Sequence, residues 1–261
     1  DCLVGSEMCI RDRFLSKDKP GVDHLAFAAQ NINEMASLFI DDAKHSSGIN
    51  GLEQIQIPEE LTQGVFMRFT SIANLRGSRT KFVERMDHIG IASSSNILAE
   101  SIFVEKLGLP LESRQTDVEV KVAMESFTSD KYGVIYKTRP PETMGGLRVS
   151  FITIGDTELE FLENFNNQHS AEIAHGTPGN TKQDQGAITK YVNKYGPGLH
   201  HLAFKTPDIN QTLMHLEKHN FKLIDSVGRE GSRRSLIGFI HPSSTGGVLI
   251  HFVERAEVTN A

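Results

Sequence analysis

Residues 87–91 read Asp87-His88-Ile89-Gly90-Ile91, and two other stretches repeat the pattern: Asp23-His24-Leu25-Ala26-Phe27 and His200-His201-Leu202-Ala203-Phe204. Each alternates as a strand does. Each runs into a helix signal. Asn31 with Glu34 three residues on forms a capping box. Ser93 to Asn96 offers several caps, and Thr206-Pro207-Asp208 places proline at a first helical position. Ile209, Leu213 and Leu216 then share one helix face, while Gly108 and Asn220 mark helix ends. The three segments also share an ending: Lys81-Phe82-Val83-Glu84, Glu160-Phe161-Leu162-Glu163 and His251-Phe252-Val253-Glu254. Between beginning and ending lie strand-like runs such as 65–71, 147–154 and 236–240. A repeated unit decides an architecture before any single element does. Here the unit reads β-α-β-β-β, an α+β fold, at 21–85, 86–164 and 198–255.

Strand parity then gathers the unusual residues. Side chains alternate across a strand, so Ile89 and Ile91 face the helices while His88 and Gly90 face away. Leu202 and Phe204 face the helices, and His201 and Ala203 face away. In the closing strands, Leu159 and Phe161 leave Glu158 and Glu160 on the far side, and Ile250 and Phe252 leave His251 there. If units two and three pair into one curled mixed sheet, His88, Glu160, His201 and His251 meet in its cleft. Three imidazoles and a carboxylate make a site for a first-row divalent ion: Co, Mn, Zn, Ni or Fe. His200 falls off this parity and reads as structural. Glu163 and Glu254 read as strand-end or surface charges. Unit one carries His24 but closes on Lys81, whose ammonium is no ligand, so residues 21–85 read as a remnant half-domain without a metal.

Composition sets the outer bounds. The chain has 261 residues, 38% hydrophobic and 23% charged, enough for a sizeable core and unlike a disordered protein. A net charge of −6 argues against a nucleic-acid binder or a basic membrane-surface protein, and no apolar run has the length of a membrane span. The two cysteines, Cys2 and Cys9, lie in a head (1–20) that shows neither strand nor helix period, and its SEMCIRDR stretch resembles translated adapter sequence. The head is set aside as disordered or artefactual, and any ion must be held by His and Glu. An extra strand is expected at 132–138. Residues 165–197 read as a polar linker with a short helix at 186–195 and a loop marked by Gly176, Pro178, Gly179 and Asn180, and 256–261 as a tail.

The motifs MDHIGIA (86–92), GDTELE (155–160), GPGLHHLAF (196–204) and IGFIHPSSTGGVLI (237–250) resemble the vicinal oxygen chelate superfamily of glyoxalases, bleomycin-resistance proteins and dioxygenases, most of all its methylmalonyl-CoA epimerases. The likeness covers about residues 86–255. It implies a complete domain there, a metal on His88, Glu160, His201 and His251, and isomerase or epimerase chemistry next to a carbonyl. It also implies a small-molecule substrate of the acyl-CoA class. The family usually has Glu where this chain has His251. Glu160 and His251 are the candidates for moving the α-proton, and Arg229, Arg233 and Arg234 for meeting a substrate phosphate or carboxylate. The competing readings are an Fe(II) dioxygenase using His88, His201 and Glu160, a glyoxalase I-like lyase, and a non-catalytic binding protein of the bleomycin-resistance type. A cytoplasmic homodimer is the accompanying expectation, since no signal peptide is evident.

Overall fold

The computed structural model describes residues 21–48, 51–73, 80–165, 181–231, 233 and 235–256. The head with Cys2 and Cys9, the loop glycines of the linker and Arg234 lie outside them.

The first unit is β1 (Leu25–Ala29), α1 (Ile32–Ser37), β2 (His45–Ser47), β3 (Glu53–Ile57) and β4 (Met67–Ser71), a four-stranded sheet in the order β1-β4-β3-β2. Its closing strand is β4, not the expected stretch at 81–84, which runs as irregular chain into the next unit. Asn31 caps α1 as the capping box requires, its side chain accepting from the Glu34 N–H at 3.1 Å.

The second unit holds β5 (Arg85–Ser93), α2 (Asn96–Glu100) continued by a π-helical turn, β6 (Leu111–Lys121), β9 (Glu142–Ile154) and β10 (Thr157–Asn164). Between β6 and β9 a separate ribbon rises from β7 (Met124–Ser129) and β8 (Gly133–Thr138), where the extra strand was expected. A helix α3 (Thr181–Tyr195) follows, starting five residues earlier than its apolar residues suggest. The third unit is β11 (Gly198–Lys205), α4 (Ile209–Lys218), β12 (Arg229–Glu230), β13 (Leu236–Ile240) and β14 (Leu249–Glu254). Asp208, rather than a helical Pro207, caps α4 by accepting from the Gln211 N–H at 2.9 Å.

Units two and three form one curled eight-stranded sheet in the order β12-β13-β14-β11-β5-β10-β9-β6. Within each unit the first strand runs parallel to the last, β5 with β10 and β11 with β14. Across the middle, β5 and β11 pair antiparallel. This pseudo-twofold brings both first strands and both last strands to the centre of the cleft. The helix faces divide the core. Ile209, Leu213, Ile240 and Phe252 pack beneath the third unit. Ile89, Ile91, Phe103 and Phe161 of the second unit share a cluster with Ile55, Ile57, Met67 and Phe69 of the first. Burying such side chains contributes roughly 1.5–3 kcal/mol each, so this shared cluster fastens unit one to the larger sheet. On the concave face, Ile188 of α3 packs with Leu147, Val149 and Leu162 and closes one side of the cleft. No helix among the described residues is long and apolar enough to cross a membrane.

Candidate metal centre

The centre of the cleft is built by strand register. Gly90 lies opposite Glu160 on β10 and opposite His201 on β11, and Ala203 lies opposite His88 on β5 and His251 on β14. The small residue two places after each first-strand histidine therefore makes room for the neighbouring unit's ring. All four side chains share this side of the sheet, and all are buried. His88 Nε2 lies 3.3 Å from Glu160 Oε2, His201 Nε2 lies 3.4 Å from the same oxygen, and the two Nε2 atoms are 3.4 Å apart. Three donor atoms around one ion at bonds of about 2.1 Å in tetrahedral directions stand about 3.4 Å apart. His88, His201 and His251 each offer a nitrogen within 4.8 Å of the others. Neither ring nitrogen of His251 has a hydrogen-bond partner among the described residues. Buried polar atoms are nearly always satisfied, so an orphaned imidazole beside two others and a carboxylate fits a site that holds a cation. The donor set, nitrogen-rich with one oxygen, suits a first-row divalent ion.

Charge and burial hold this cluster poised. Burial alone would strip His88 of its proton, but the Glu160 carboxylate and then the Asp87 hydrogen bond outweigh it and lift its pKa to about 9. Burial pushes Glu160 upward, yet His88 and His201 beside it hold its carboxyl well below the usual range. His251 is driven well below the usual histidine range by burial and by the His201 and His88 rings, so it is neutral. Burial also lowers His201.

Two supporting residues escaped the sequence reading. Asp87 is fully buried, and its Oδ2 sits 2.9 Å from both His88 Nδ1 and Arg255 Nη2. Its burial would raise its pKa, but the His88 hydrogen bond and Arg255 bring it below the usual carboxylate value. A carboxylate on the far nitrogen is the usual way a histidine ligand is oriented, and the Asp-His pair itself, repeated at 23–24 and 87–88, was the signal. The second is His200. A β-bulge between Leu199 and His201 breaks the parity that set it apart. His200 instead lines the same cleft, with its Nδ1 3.0 Å from His201 Nδ1.

Unit one shows what the site becomes without ligands. Ala26 pairs with Arg68, as Gly90 pairs with Glu160 and Ala203 with His251. The closing position is thus Arg68, not Lys81. The signal was a second repeat, Thr62-Gln63-Gly64-Val65-Phe66-Met67-Arg68-Phe69 against Thr245-Gly246-Gly247-Val248-Leu249-Ile250-His251-Phe252. In both, a left-handed pair (Gln63 φ 56° and Gly64 φ 76°; Gly246 φ 62° and Gly247 φ 90°) precedes the strand. In both, the threonine hydroxyl donates to the valine carbonyl. A buried guanidinium repels a cation, so β4 brings no ligand to His24, whose Nδ1 lies 2.9 Å from Asp23 Oδ2.

The cleft has a volume of about 450 Å³. Arg229 and Arg255 line it, with Arg229 held by Asp225 at 3.1 Å and lying 5.3 Å over the Phe239 ring. Arg233 is not part of that lining; it joins Glu158 at 2.7 Å and Glu112 at 2.6 Å and lies 3.3 Å over the Phe151 ring.

Among curated proteins, the chain is 28% identical to the uncharacterized protein YqjC of Bacillus subtilis over 172 residues, which is 66% of this chain and 93% of that one. It is 28% identical to the mitochondrial methylmalonyl-CoA epimerase of Bos taurus over 105 residues, 40% of this chain. The match spans about half (51%) of that epimerase. A crystal structure of methylmalonyl-CoA epimerase from Mycobacterium tuberculosis matches at 22% identity with a TM-score of 0.47, covering 70% of this chain and 95% of that one. Residues 87–239 match the family model for the glyoxalase/bleomycin resistance protein/dioxygenase superfamily, more than half the chain, and the chain belongs to that superfamily.

Proposed function

We propose that this chain is a metal-dependent isomerase that removes and returns a proton at a carbon next to a carbonyl, with an acyl-CoA thioester as its substrate class. The observation that carries the reading is the trio of His88 Nε2, His201 Nε2 and Glu160 Oε2 at 3.3–3.4 Å, with His251, which has no hydrogen-bond partner among the described residues, beside them. The similarity to epimerases of methylmalonyl-CoA supports the substrate class.

In this reading His88, His201 and Glu160 hold the ion, with His251 completing the set at its edge. Such an ion, when bound, stabilises negative charge on a carbonyl oxygen by several kcal/mol. The chain's own residues supply the rest. His251 is neutral, and when it is off the ion its one bare ring nitrogen can take the α-proton and return it. Glu160, pinned between two imidazoles, stays ionised and holds position. The wall of Leu147, Val149, Leu162 and Ile188 keeps water from one side of the cleft. Arg229 is the one of the three proposed substrate arginines that both lines the cleft and is described there, and it is assigned to an anionic group of the substrate. Arg233 serves the rim through Glu158 and Glu112.

The test is exchange of solvent deuterium into the α-carbon of a branched acyl-CoA by protein loaded with cobalt, manganese or zinc. Exchange that disappears in His251→Gln, with metal still bound, supports the assignment. Two histidines and one carboxylate also suit Fe(II) oxygen chemistry. Oxygen uptake with catechols, without exchange, would replace the isomerase by the dioxygenase.

A further inference from the structure

The residue just before each first-strand histidine touches that histidine's inner nitrogen. Asp23 Oδ2 lies 2.9 Å from His24 Nδ1, Asp87 Oδ2 lies 2.9 Å from His88 Nδ1, and His200 Nδ1 lies 3.0 Å from His201 Nδ1. In the third unit an imidazole stands where the other two have a carboxylate.

The bulge explains how. In a regular strand the residue before His201 would face the opposite side. The register slip between Leu199 and His201 turns His200 toward the cleft. Tyr191 of α3 then fixes it. The two rings meet edge-on at 4.9 Å and 80°, and the Tyr191 hydroxyl donates to the Leu199 carbonyl at the bulge itself.

Hydrogen-bond logic settles the direction of the His200–His201 contact. His201 turns Nε2 toward His88 Nε2 and Glu160 Oε2, both at 3.4 Å. To offer a lone pair there, a neutral imidazole must carry its hydrogen on Nδ1. That Nδ1–H has His200 Nδ1 at 3.0 Å, and two nitrogens can share one hydrogen only if one accepts. His200 must therefore accept at Nδ1 and carry its own hydrogen on Nε2. We propose that His200 is a positioning residue of this centre: its Nδ1 accepts the Nδ1–H of His201 and so holds His201 in the tautomer whose Nε2 faces the ion. The proposal rests on the reading that the cluster binds a divalent ion. It gives the pair of adjacent histidines one joint role, a neutral counterpart of the Asp87–His88 pair.

The experiment uses the whole chain, cobalt and zinc as probes, and calorimetric titration together with ¹⁵N spectra of the histidine rings. In loaded wild-type protein His201 is expected to be protonated on Nδ1 and His200 on Nε2. His200→Phe keeps a ring but removes the acceptor, and metal affinity should fall by roughly 10–100-fold. His200→Asn returns an acceptor at the Nδ1 position and should restore affinity to within a few-fold of wild type. Wild-type affinity in the Phe variant, or a loaded His201 protonated on Nε2, overturns the proposal. A wild-type protein that binds neither ion overturns the metal centre itself and this proposal with it. Should the Phe variant fail to fold, the Asn variant and the wild-type spectra still decide.

Discussion

The α-carbon of Gly90 lies against the His201 ring so closely that a β-carbon there would stand 2.0 Å from Cε1 and 2.3 Å from Nδ1. No van der Waals contact is that short, and His200 Nδ1 lies 3.0 Å from the Nδ1 of the same ring. Gly90→Ala is therefore expected to push His201 out of the cluster. Metal affinity, measured by titration with zinc or cobalt, should fall at least tenfold. Stability should drop by about 1–3 kcal/mol from overpacking. An unchanged affinity would show that His201 is dispensable to the site.

Removing a ligand should behave differently. His88→Ala takes from Glu160 one of its two imidazoles and leaves Asp87 to Arg255, and a buried charge that loses a partner is destabilising. The expected outcome is loss of stoichiometric metal by elemental analysis and a thermal midpoint below that of wild type. For wild-type protein, an ion at a hundred times its Kd adds about 2.7 kcal/mol to stability, so a chelator should lower the midpoint by several degrees. A midpoint indifferent to chelator would argue that no ion binds the folded state.

The pH dependence of binding follows from His88. Without metal its pKa is raised to about 9, so the ring is protonated at neutral pH. An ion needs the bare Nε2, so binding near pH 7 must release about one proton. Observed affinity should rise about tenfold per pH unit up to roughly pH 9 and then level. Calorimetry in buffers of different ionisation enthalpy measures the released proton directly. Binding without proton release would show that His88 is already neutral.

Much of this site was legible because strand parity is strict. The alternation around Ile89 and Ile91, Leu202, Phe161 and Phe252 was enough to place His88, Glu160, His201 and His251 on one side, and the register of β5, β10, β11 and β14 brings them together. Where the reading strayed, a local irregularity had cancelled the period. The bulge at His200 reversed one side chain. In unit one, the Phe-Val-Glu ending at 82–84 copies the sequence of a closing strand but not its pairing, and the true closing strand was marked by a turn, Thr62 to Val65, rather than by its ending. Asp87 was invisible to parity because its role is to its sequence neighbour. Arg255 lies only four residues after His251, but its partner Asp87 is 168 residues away, and no periodicity joins them.

The glutamates that close the shared endings have a role that the strand pattern hides, and it predicts a change in stability without a change in binding. Glu163 Oε2 accepts the Asn96 N–H at 2.8 Å, and Glu254 Oε2 accepts the Ile209 N–H at 2.7 Å. Both N–H groups sit at the first position of a helix, α2 and α4, where no intrahelical partner exists. Each carboxylate thus ties the last strand of its unit to the start of the helix that follows the first strand. The negative charge also meets the positive end of the helix dipole. Glu254→Gln keeps an acceptor but loses the charge and should lower stability by about 1 kcal/mol, and Glu254→Ala by about 2 kcal/mol. For a chain of this size that is a fall of roughly 2–8 °C in the thermal midpoint. The side chain leaves the strand on the helix-bearing end, away from the four clustered residues, so zinc affinity should stay within twofold of wild type. Loss of metal in Glu254→Gln would mean that the cluster depends on strand-end geometry rather than on its own side chains.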